Sequence, residues 1–218
     1  MNPRTPKSVV RDLESSSATP RELISATSTA DIVSVPRRRC VAIDGQGAPA
    51  SAQFQEAIAA LYGVAYTLKF ARKKAGHPDY KVPPLEGRWS ADVAAGTGTT
   101  TRPQPEQWRW RLRIGVPADV TRQELERARR DVVTKKRGKL EGSLVVPSVF
   151  LESIPAQRFG RVLHIGPYKN EEASFDLISS ALDRAGLSAA PTHVEVHLNA
   201  PGRTRPAALK TVLLRELA

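Results

Sequence analysis

The sequence contains one supersecondary pattern twice, and this repeat constrains the fold more than any other feature. In each copy a strand-like run, Arg39–Ile43 or Arg161–Ile165, is followed by a glycine and an apolar helical pattern. Three pairs of like residues are each separated by 121 positions: Gly45 and Gly166, Phe54 and Phe175, and Leu61 and Leu182. The repeat predicts an internal duplication, and two units joined in one sheet leave a cleft along their common axis.

Hydrophobic periodicity predicts an α+β fold dominated by antiparallel strand pairing. A first unit is expected over about 31–117 and a second over about 148–218, with a linking helix over about 122–138. Residues 1–30 are rich in Ser, Thr and Pro and are predicted to form a flexible N-terminal extension. At most, a short helix is expected in it, near 21–26.

The individual elements follow from the same patterns, with Ser51 and Thr121 as expected helix N-caps. An extended segment is predicted over 82–89 and a loop near 95–106. Helices are predicted near 51–76 and 170–186, and strands near 31–36, 38–44, 108–116, 148–154, 158–165, 192–199 and 209–217. The strand near 108–116 is the clearest, because Trp and aliphatic residues alternate there with three arginines.

The predicted strand 192–199 carries the strongest functional signal. His193, Glu195 and His197 alternate with apolar residues and therefore share one face of the sheet. We expect the apolar face to pack on helices and the partly polar face to line a cavity. In a cavity Glu195 is suited to attract a cation or to activate water as a general base. On an open sheet face it would be an ordinary solvated glutamate.

The two histidines also raise the question of a metal site, since two His and one Glu are common zinc ligands. Side chains two apart on a strand run parallel rather than converging. No HExxH or paired-Cys motif is present either. We therefore predict no metal. Cofactors are not expected, because Gly45-Gln46-Gly47 lacks the third glycine of a nucleotide-binding loop.

Aromatic residues cluster around the expected junction of the two units. Aromatic walls stack on flat ligands, and a tyrosine hydroxyl is an oriented hydrogen-bond donor for a carbonyl. Core packing is the alternative role, favoured for Trp108, and Tyr168 has a second possible role at the entrance of a helix. The candidate ligand-binding aromatics are Tyr62, Tyr66, Trp89, Trp110 and Tyr168.

Charge and cysteine content limit the partners and the compartment. The net charge of +11 is spread over several segments without a recognition-helix, zinc-finger or RNA-binding signature. This favours a solvated basic surface over a specific nucleic-acid partner. No window resembles a signal core or a membrane span, so no membrane association is expected and a cytoplasmic location is predicted. Cys40, the single cysteine, lies in a predicted strand and is a poor candidate nucleophile.

Several segments in order resemble the GyrI-like small-molecule-binding family, related to effector domains of multidrug-responsive transcription regulators. The matching segments are Leu61–Phe70, Pro83–Trp89, Trp108–Ile114 with Pro117, His164–Tyr168, and His193–Leu198 continuing to Leu209–Thr211. The resemblance implies a duplicated βαββ architecture with helices on one face, a ligand cleft between the halves and a GyrI-like domain over 31–218. It also implies an aromatic pocket and a ligand-contacting glutamate at Glu195.

Some members of that family are cyclopropanoid cyclopropyl hydrolases, which detoxify DNA-alkylating natural products by adding water across a strained cyclopropane. The resemblance thus implies a cofactor-independent hydrolase for drug resistance or self-protection, acting on a small, aromatic, reactive natural product. Glu195 would polarise water, and Tyr66, or Tyr62 beside it, would donate to the dienone carbonyl as it becomes a phenolate. The other expected substrate contacts are Trp89, Trp110, Tyr168 and His197.

Two positions depart from the family pattern. Trp89-Ser90 stands where an aromatic doublet is common, and His197 stands where a tyrosine is common. An imidazole two residues from Glu195 is placed to tune its protonation or to act as an alternative acid. The alternative function is a non-catalytic module that sequesters aromatic or cationic drugs, or that inhibits a protein partner such as DNA gyrase.

Overall fold

The computed structural model describes residues 18–91, 105–135 and 145–218, which form one antiparallel sheet with three α-helices. The helices are α1 (Ala52–Lys74), α2 (Arg122–Lys135) and α3 (Glu172–Arg184). The strands are β1 (Asp31–Val35), β2 (Arg38–Gln46), β3 (Leu85–Ala91), β4 (Trp108–Val116), β5 (Phe150–Ile154), β6 (Gln157–Ile165), β7 (Ala189–His197) and β8 (Lys210–Leu217). The predicted α+β class is confirmed.

The strand order shows the duplication directly. The eight strands follow the order β1-β6-β8-β7-β3-β4-β2-β5, and every neighbouring pair is antiparallel. When the strand order is read inward from each edge of the sheet, one half is β1-β6-β8-β7 and the other is β5-β2-β4-β3. These two series correspond strand by strand. The two halves therefore meet at the β3–β7 pair. The edge strands are exchanged, because β1 pairs with a strand of the second unit and β5 with a strand of the first.

The repeated glycines occupy different structural positions: Gly45 lies inside β2, opposite Trp110, whereas Gly166 directly follows β6. A Cβ on Gly45 would lie 2.1 Å from the ring of Trp110, so the indole fills the space that a side chain would need. Gly166 instead has φ +141°, a conformation that residues with side chains rarely adopt. The repeated Leu61 and Leu182 are both buried under their helices, as their spacing predicts.

Helix α1 begins and ends where the sequence indicates. The Ser51 hydroxyl accepts a hydrogen bond from the Phe54 N–H at 3.3 Å, and Gly76 follows the helix with φ +85°. Helix α2 begins with a capping box in which Glu124 N–H donates to the Thr121 hydroxyl and the Glu124 carboxylate accepts from Thr121 N–H. Both predicted N-caps are confirmed.

The segment before β1 differs from the flexible extension expected over residues 1–30. Leu23 is fully buried in a cluster with Val194 and Val196 on the side of the sheet opposite α1 and α3. The guanidinium of Arg161 donates to the Glu22 carbonyl and to the Asp31 carboxylate. Residues 18–30 thus belong to the folded protein, because they cover apolar side chains on the face of the sheet away from α1 and α3. Residues 1–17 lie outside the described residues.

The rest of that face carries paired charges. Arg111 donates to Asp44 and to Glu152, and Arg113 donates to Glu152 as well. The arginine-rich face of β4 is therefore neutralised by carboxylates from its neighbours. Cys40 is buried beside this network, and burial raises the pKa of its thiol to about 12, which keeps it protonated and unsuited to act as a nucleophile.

Arg72 connects the first two helices. Its guanidinium donates to Glu124 and to Asp119, each at 2.6 Å, and the residue is almost fully buried. The pKa of the Glu124 carboxyl is lowered, because hydrogen bonds from Thr121 and the charge of Arg72 outweigh the opposing effect of burial.

We expect Arg72→Met to lower the free energy of unfolding by about 1.5–3 kcal/mol, because two charge-assisted hydrogen bonds are lost. Urea denaturation measures the change. Arg127→Met is the matched control, since Arg127 is exposed on α2, and it should change stability by at most about 0.5 kcal/mol. Equal stability of Arg72→Met and wild type would contradict a stabilising role for this cluster.

Candidate functional site

A large cleft lies between α1 and α3, above the β3–β7 junction. Its volume is about 1410 Å³, enough for a drug-sized molecule. One wall is formed by α1 with Phe54, Ile58 and Tyr62, and the other by the start of α3 with Phe175. The floor comes from both halves of the sheet, as the duplication predicts.

Strand pairing places Glu195 at the centre of the floor. Glu195 lies opposite Gly87 in the β3–β7 ladder, and Trp89 lies opposite His193, so these side chains share one face. That face is the one covered by helices, since Trp89 stacks on Phe54 of α1 at 5.6 Å between ring centroids. The expectation that helices cover the opposite, apolar face is therefore wrong. The alternation identified the residues that share a face but not the elements that cover it.

Two imidazoles flank the Glu195 carboxylate, which is 13% exposed. The Nε2 atom of His193 lies 3.1 Å from Oε1, and that of His197 lies 3.7 Å from Oε2. Burial lowers the pKa of His197, and the charge of Glu195 only partly opposes this effect. His197 is therefore neutral near pH 7, and among the described residues its Nδ1 atom has no hydrogen-bond partner.

A second carboxyl group, which the sequence analysis did not identify, lines the same cleft. Glu171 immediately precedes α3, and only 8% of its surface is exposed. Burial raises the pKa of Glu171 to about 8, and the negative charge of Glu195 adds to this effect. In the sequence, the position of Glu171 is the available indication of a role: it follows Tyr168 by three residues and lies at the start of the helix predicted near 170–186.

The tryptophans are placed differently from the sequence expectation. Trp89 lines the cleft, and Trp108, for which core packing was the favoured role, lines it beside Trp89 with ring centroids 6.0 Å apart. Trp110 is only 3% exposed, packs against Gly45 and the edge of Phe54, and is not a lining residue. Both Trp108 and Trp110 face the helices. Because Gly45 has no side chain, the indole of Trp110 fits against it and packs in the core.

Three tyrosines named from the sequence line the cleft at different depths. Burial raises the pKa of the half-buried Tyr62. Tyr66 stacks on Tyr62 at 6.2 Å but is 45% exposed at the rim. Tyr168 packs its ring edge-to-face with His197 at 5.7 Å, and burial, followed by the charges of Glu195 and Glu171, raises its pKa to about 12.

Some polar atoms of the cleft are buried with no hydrogen-bond partner in the described part of the chain. They are Nε1 of Trp89, Oε1 of Glu171, Nδ1 of His197 and Nε of Arg215. A buried donor or acceptor left unpaired costs about 1–3 kcal/mol, so a ligand that pairs with these atoms gains affinity. The cleft thus combines aromatic walls with unpaired polar groups, as small-molecule sites do.

The arrangement of acidic, histidine and cysteine side chains and the character of the helices bear on metal binding and membrane insertion. In residues 18–91, 105–135 and 145–218, no group of three or more His, Cys, Asp or Glu side chains is arranged to hold a metal ion. Over the same residues, none of the helices has the length and apolar character needed to cross a membrane.

Comparisons with known proteins identify the fold. No protein-family model and no curated protein sequence matches this chain. An uncharacterized conserved protein from Listeria innocua has a TM-score of 0.79 at 24% identity, over 90% of this chain and 96% of the other. A hydrolase from Listeria innocua has a TM-score of 0.76 at 23% identity, over 90% and 95% of the chains. The EcmrR C-terminal domain matches at 0.53 and 11% identity, over 87% and 96%.

The contact between Glu195 and His197 gives a testable pH effect. In wild type, the pKa of His197 should lie below its ordinary value of 6.5. Glu195→Gln should lower it further, because the variant removes a negative charge that favours the imidazolium ion. NMR titration of the imidazole Cε1–H measures both values. Glu56→Gln, an exposed control on α1, should leave the pKa unchanged; an unchanged value in Glu195→Gln would contradict the coupling.

Proposed function

We propose that this protein is a hydrolase that adds water across the strained cyclopropane of a DNA-alkylating cyclopropanoid natural product, giving drug resistance or self-protection. The observation that carries the proposal is the position of Glu195, on the floor of an aromatic-walled cleft that accommodates a drug-sized molecule. The resemblance to GyrI-like hydrolases supports the same activity. One of the proteins that share this fold is itself described as a hydrolase.

The floor is suited to activate water. The Glu195 carboxylate has a fixed orientation, because it belongs to a strand paired on both sides and contacts His193 at 3.1 Å. A water molecule held by Glu195 gives its proton to the carboxylate as its oxygen attacks a cyclopropane carbon. General-base assistance of this kind contributes about 10²–10⁴-fold to the rate.

The walls are suited to hold a flat, conjugated ligand over Glu195. Trp89 lies across the open space at Gly87, where a Cβ would be 3.0 Å from the indole Nε1 atom. Because Gly87 is the register partner of Glu195, the Trp89 indole lies over the same part of the floor as the proposed base, and its N–H has no partner among the described residues. A ligand carbonyl is a suitable acceptor for this N–H group. Tyr62 and Tyr66 on α1 are further candidate donors to that oxygen as it gains charge.

The second candidate function is binding of an aromatic cation without turnover. Several carboxyl groups and aromatic rings line the cleft together, and both attract a cation. The carboxyl groups are Glu171, Glu172, Asp176 and Glu195. In this case Glu195 would supply charge rather than catalysis.

Glu195→Gln separates the two functions. For a hydrolase, the variant should add water to a spirocyclopropyl-dienone alkylating agent about 100-fold more slowly or worse, because the general base is lost. Its affinity for the intact, neutral agent should change little. Mass spectrometry of the one-water adduct measures the rate, and isothermal titration calorimetry measures the affinity. Glu56→Gln is the control and should behave as wild type.

A binding module would give the opposite pattern. Wild type would then bind an aromatic quaternary ammonium ion stoichiometrically and would form no product from the dienone. Glu195→Gln would bind the cation about tenfold more weakly or worse, which corresponds to a loss of about 1.4 kcal/mol of charge pairing. Full water addition by Glu195→Gln would contradict the proposed role of Glu195 as the base.

A further inference from the structure

We propose, on the basis of the proposed hydrolase activity, that Glu171 is the general acid that protonates the substrate oxygen when the cyclopropane opens. The residue lines the cleft with Glu195 but comes from a different element, the segment that leads into α3. Sequence analysis had assigned this donor role to a tyrosine.

The backbone holds Glu171 in place at the wall of the cleft. Its carbonyl accepts hydrogen bonds from Ser174 N–H at 2.9 Å and from Phe175 N–H at 3.0 Å, and its own N–H donates to the Tyr168 carbonyl at 3.1 Å. The side chain makes no capping hydrogen bond to α3. In the described part of the chain its buried Oε1 atom has no hydrogen-bond partner, so no hydrogen bond from those residues holds this oxygen, and the residue lines the cleft.

The surroundings of Glu171 favour its neutral form. Burial and the nearby Glu195 charge both raise its pKa, to about 8. The N-terminus of α3 favours the anion, but a helix terminus contributes about 0.3–1 kcal/mol, which is less than one pKa unit. The acidic and basic groups that line the cleft with Glu171 are Tyr62 and Tyr66 of α1, Lys81, Tyr168, Lys169, Glu172 and Asp176 of α3, His193, Glu195 and His197 of β7, and Arg215 of β8.

Glu195 and Glu171 thus have contacts suited to opposite roles. Glu195 lies against two imidazoles, whereas burial and a neighbouring carboxylate oppose ionisation of Glu171. Two carboxyl groups with different protonation in one cleft are a recurring arrangement for paired base and acid catalysis. Tyr168, which is partly exposed, holds its proton more tightly, since its pKa is about 12. An acid with a pKa of about 8 is a stronger donor to a phenolate, whose conjugate acid has a pKa of about 10.

The proposed step balances as follows. Water loses a proton to Glu195 while its oxygen bonds to a cyclopropane carbon. The ring C–C bond breaks, and its electron pair moves through the conjugated ring to the dienone oxygen. That oxygen takes the proton of Glu171, and the ring becomes a phenol within the same product molecule. Transfer of the proton from Glu195 to Glu171 through solvent restores the site, so the net reaction is addition of one water.

Glu171→Gln tests the acid role, because glutamine keeps the shape and neutrality of the protonated acid but lacks its transferable proton. Turnover of the spirocyclopropyl-dienone should fall about 10²-fold. Wild-type kcat should decrease as the pH rises past about 8, where Glu171 loses its proton, and the variant should lose this alkaline limb. Glu171→Asp should retain part of the activity and the limb. Asp183→Asn, an exposed control on α3, should match wild type.

A titration independent of turnover gives a second test. Carboxyl ¹³C NMR of glutamate-labelled protein, assigned with Glu171→Gln, should show a carboxyl that titrates near pH 8. Titration near the ordinary value of 4.5 would overturn the proposal, as would wild-type turnover in Glu171→Gln. Either of these two outcomes would overturn only the acid role of Glu171 and would not contradict the proposed hydrolase activity. Absence of turnover in wild type itself would overturn the hydrolase proposal and the acid role with it.

Discussion

The candidate site depends on the antiparallel pairing of β3 with β7. This ladder joins the two halves and places Glu195 opposite Gly87, whose missing side chain leaves room for the indole of Trp89. A slip of one residue would turn Glu195 to the opposite face, into the apolar cluster around Leu23. An unpaired carboxylate is costly there. The packing of Val194 and Val196 on that cluster therefore fixes the register, and with it the position of the proposed base.

The exchanged edge strands extend this constraint to the walls of the cleft. Strand β1 pairs with β6 of the second unit, and β5 pairs with β2 of the first. The ion pair between Asp31 of β1 and Arg161 of β6 joins these two strands. Neither half has its full sheet without a strand from the other. Helices α1 and α3 rest on these interlocked halves, so the cleft between them is bounded by elements that do not move independently without breaking strand pairs.

Residue patterns predict the local elements of this protein well and its tertiary arrangement only in part. The spacing from Gly45 to Leu61 and from Gly166 to Leu182 identified the duplication, although the two glycines are required for different reasons and it is the leucines that pack alike, buried under their helices. The strand exchange has no local signature. Alternation in β7 showed that Glu195 shares a face with two histidines, but the covering elements are distant in sequence, and the helices were expected on the wrong side. Glu171 was missed because its distinguishing property, burial near another carboxylate, arises only on folding.

The two carboxyl groups also connect the charge of the ligand to the protonation of the cleft. A bound cation favours the anionic form of Glu171, so its capture near neutral pH releases a proton from a group whose pKa is about 8. A neutral, flat ligand excludes water without supplying charge and therefore keeps the proton on Glu171. The two candidate functions therefore differ in the protonation of Glu171: capture of a cation releases its proton, whereas water addition to an uncharged substrate requires that proton to stay until the ring opens.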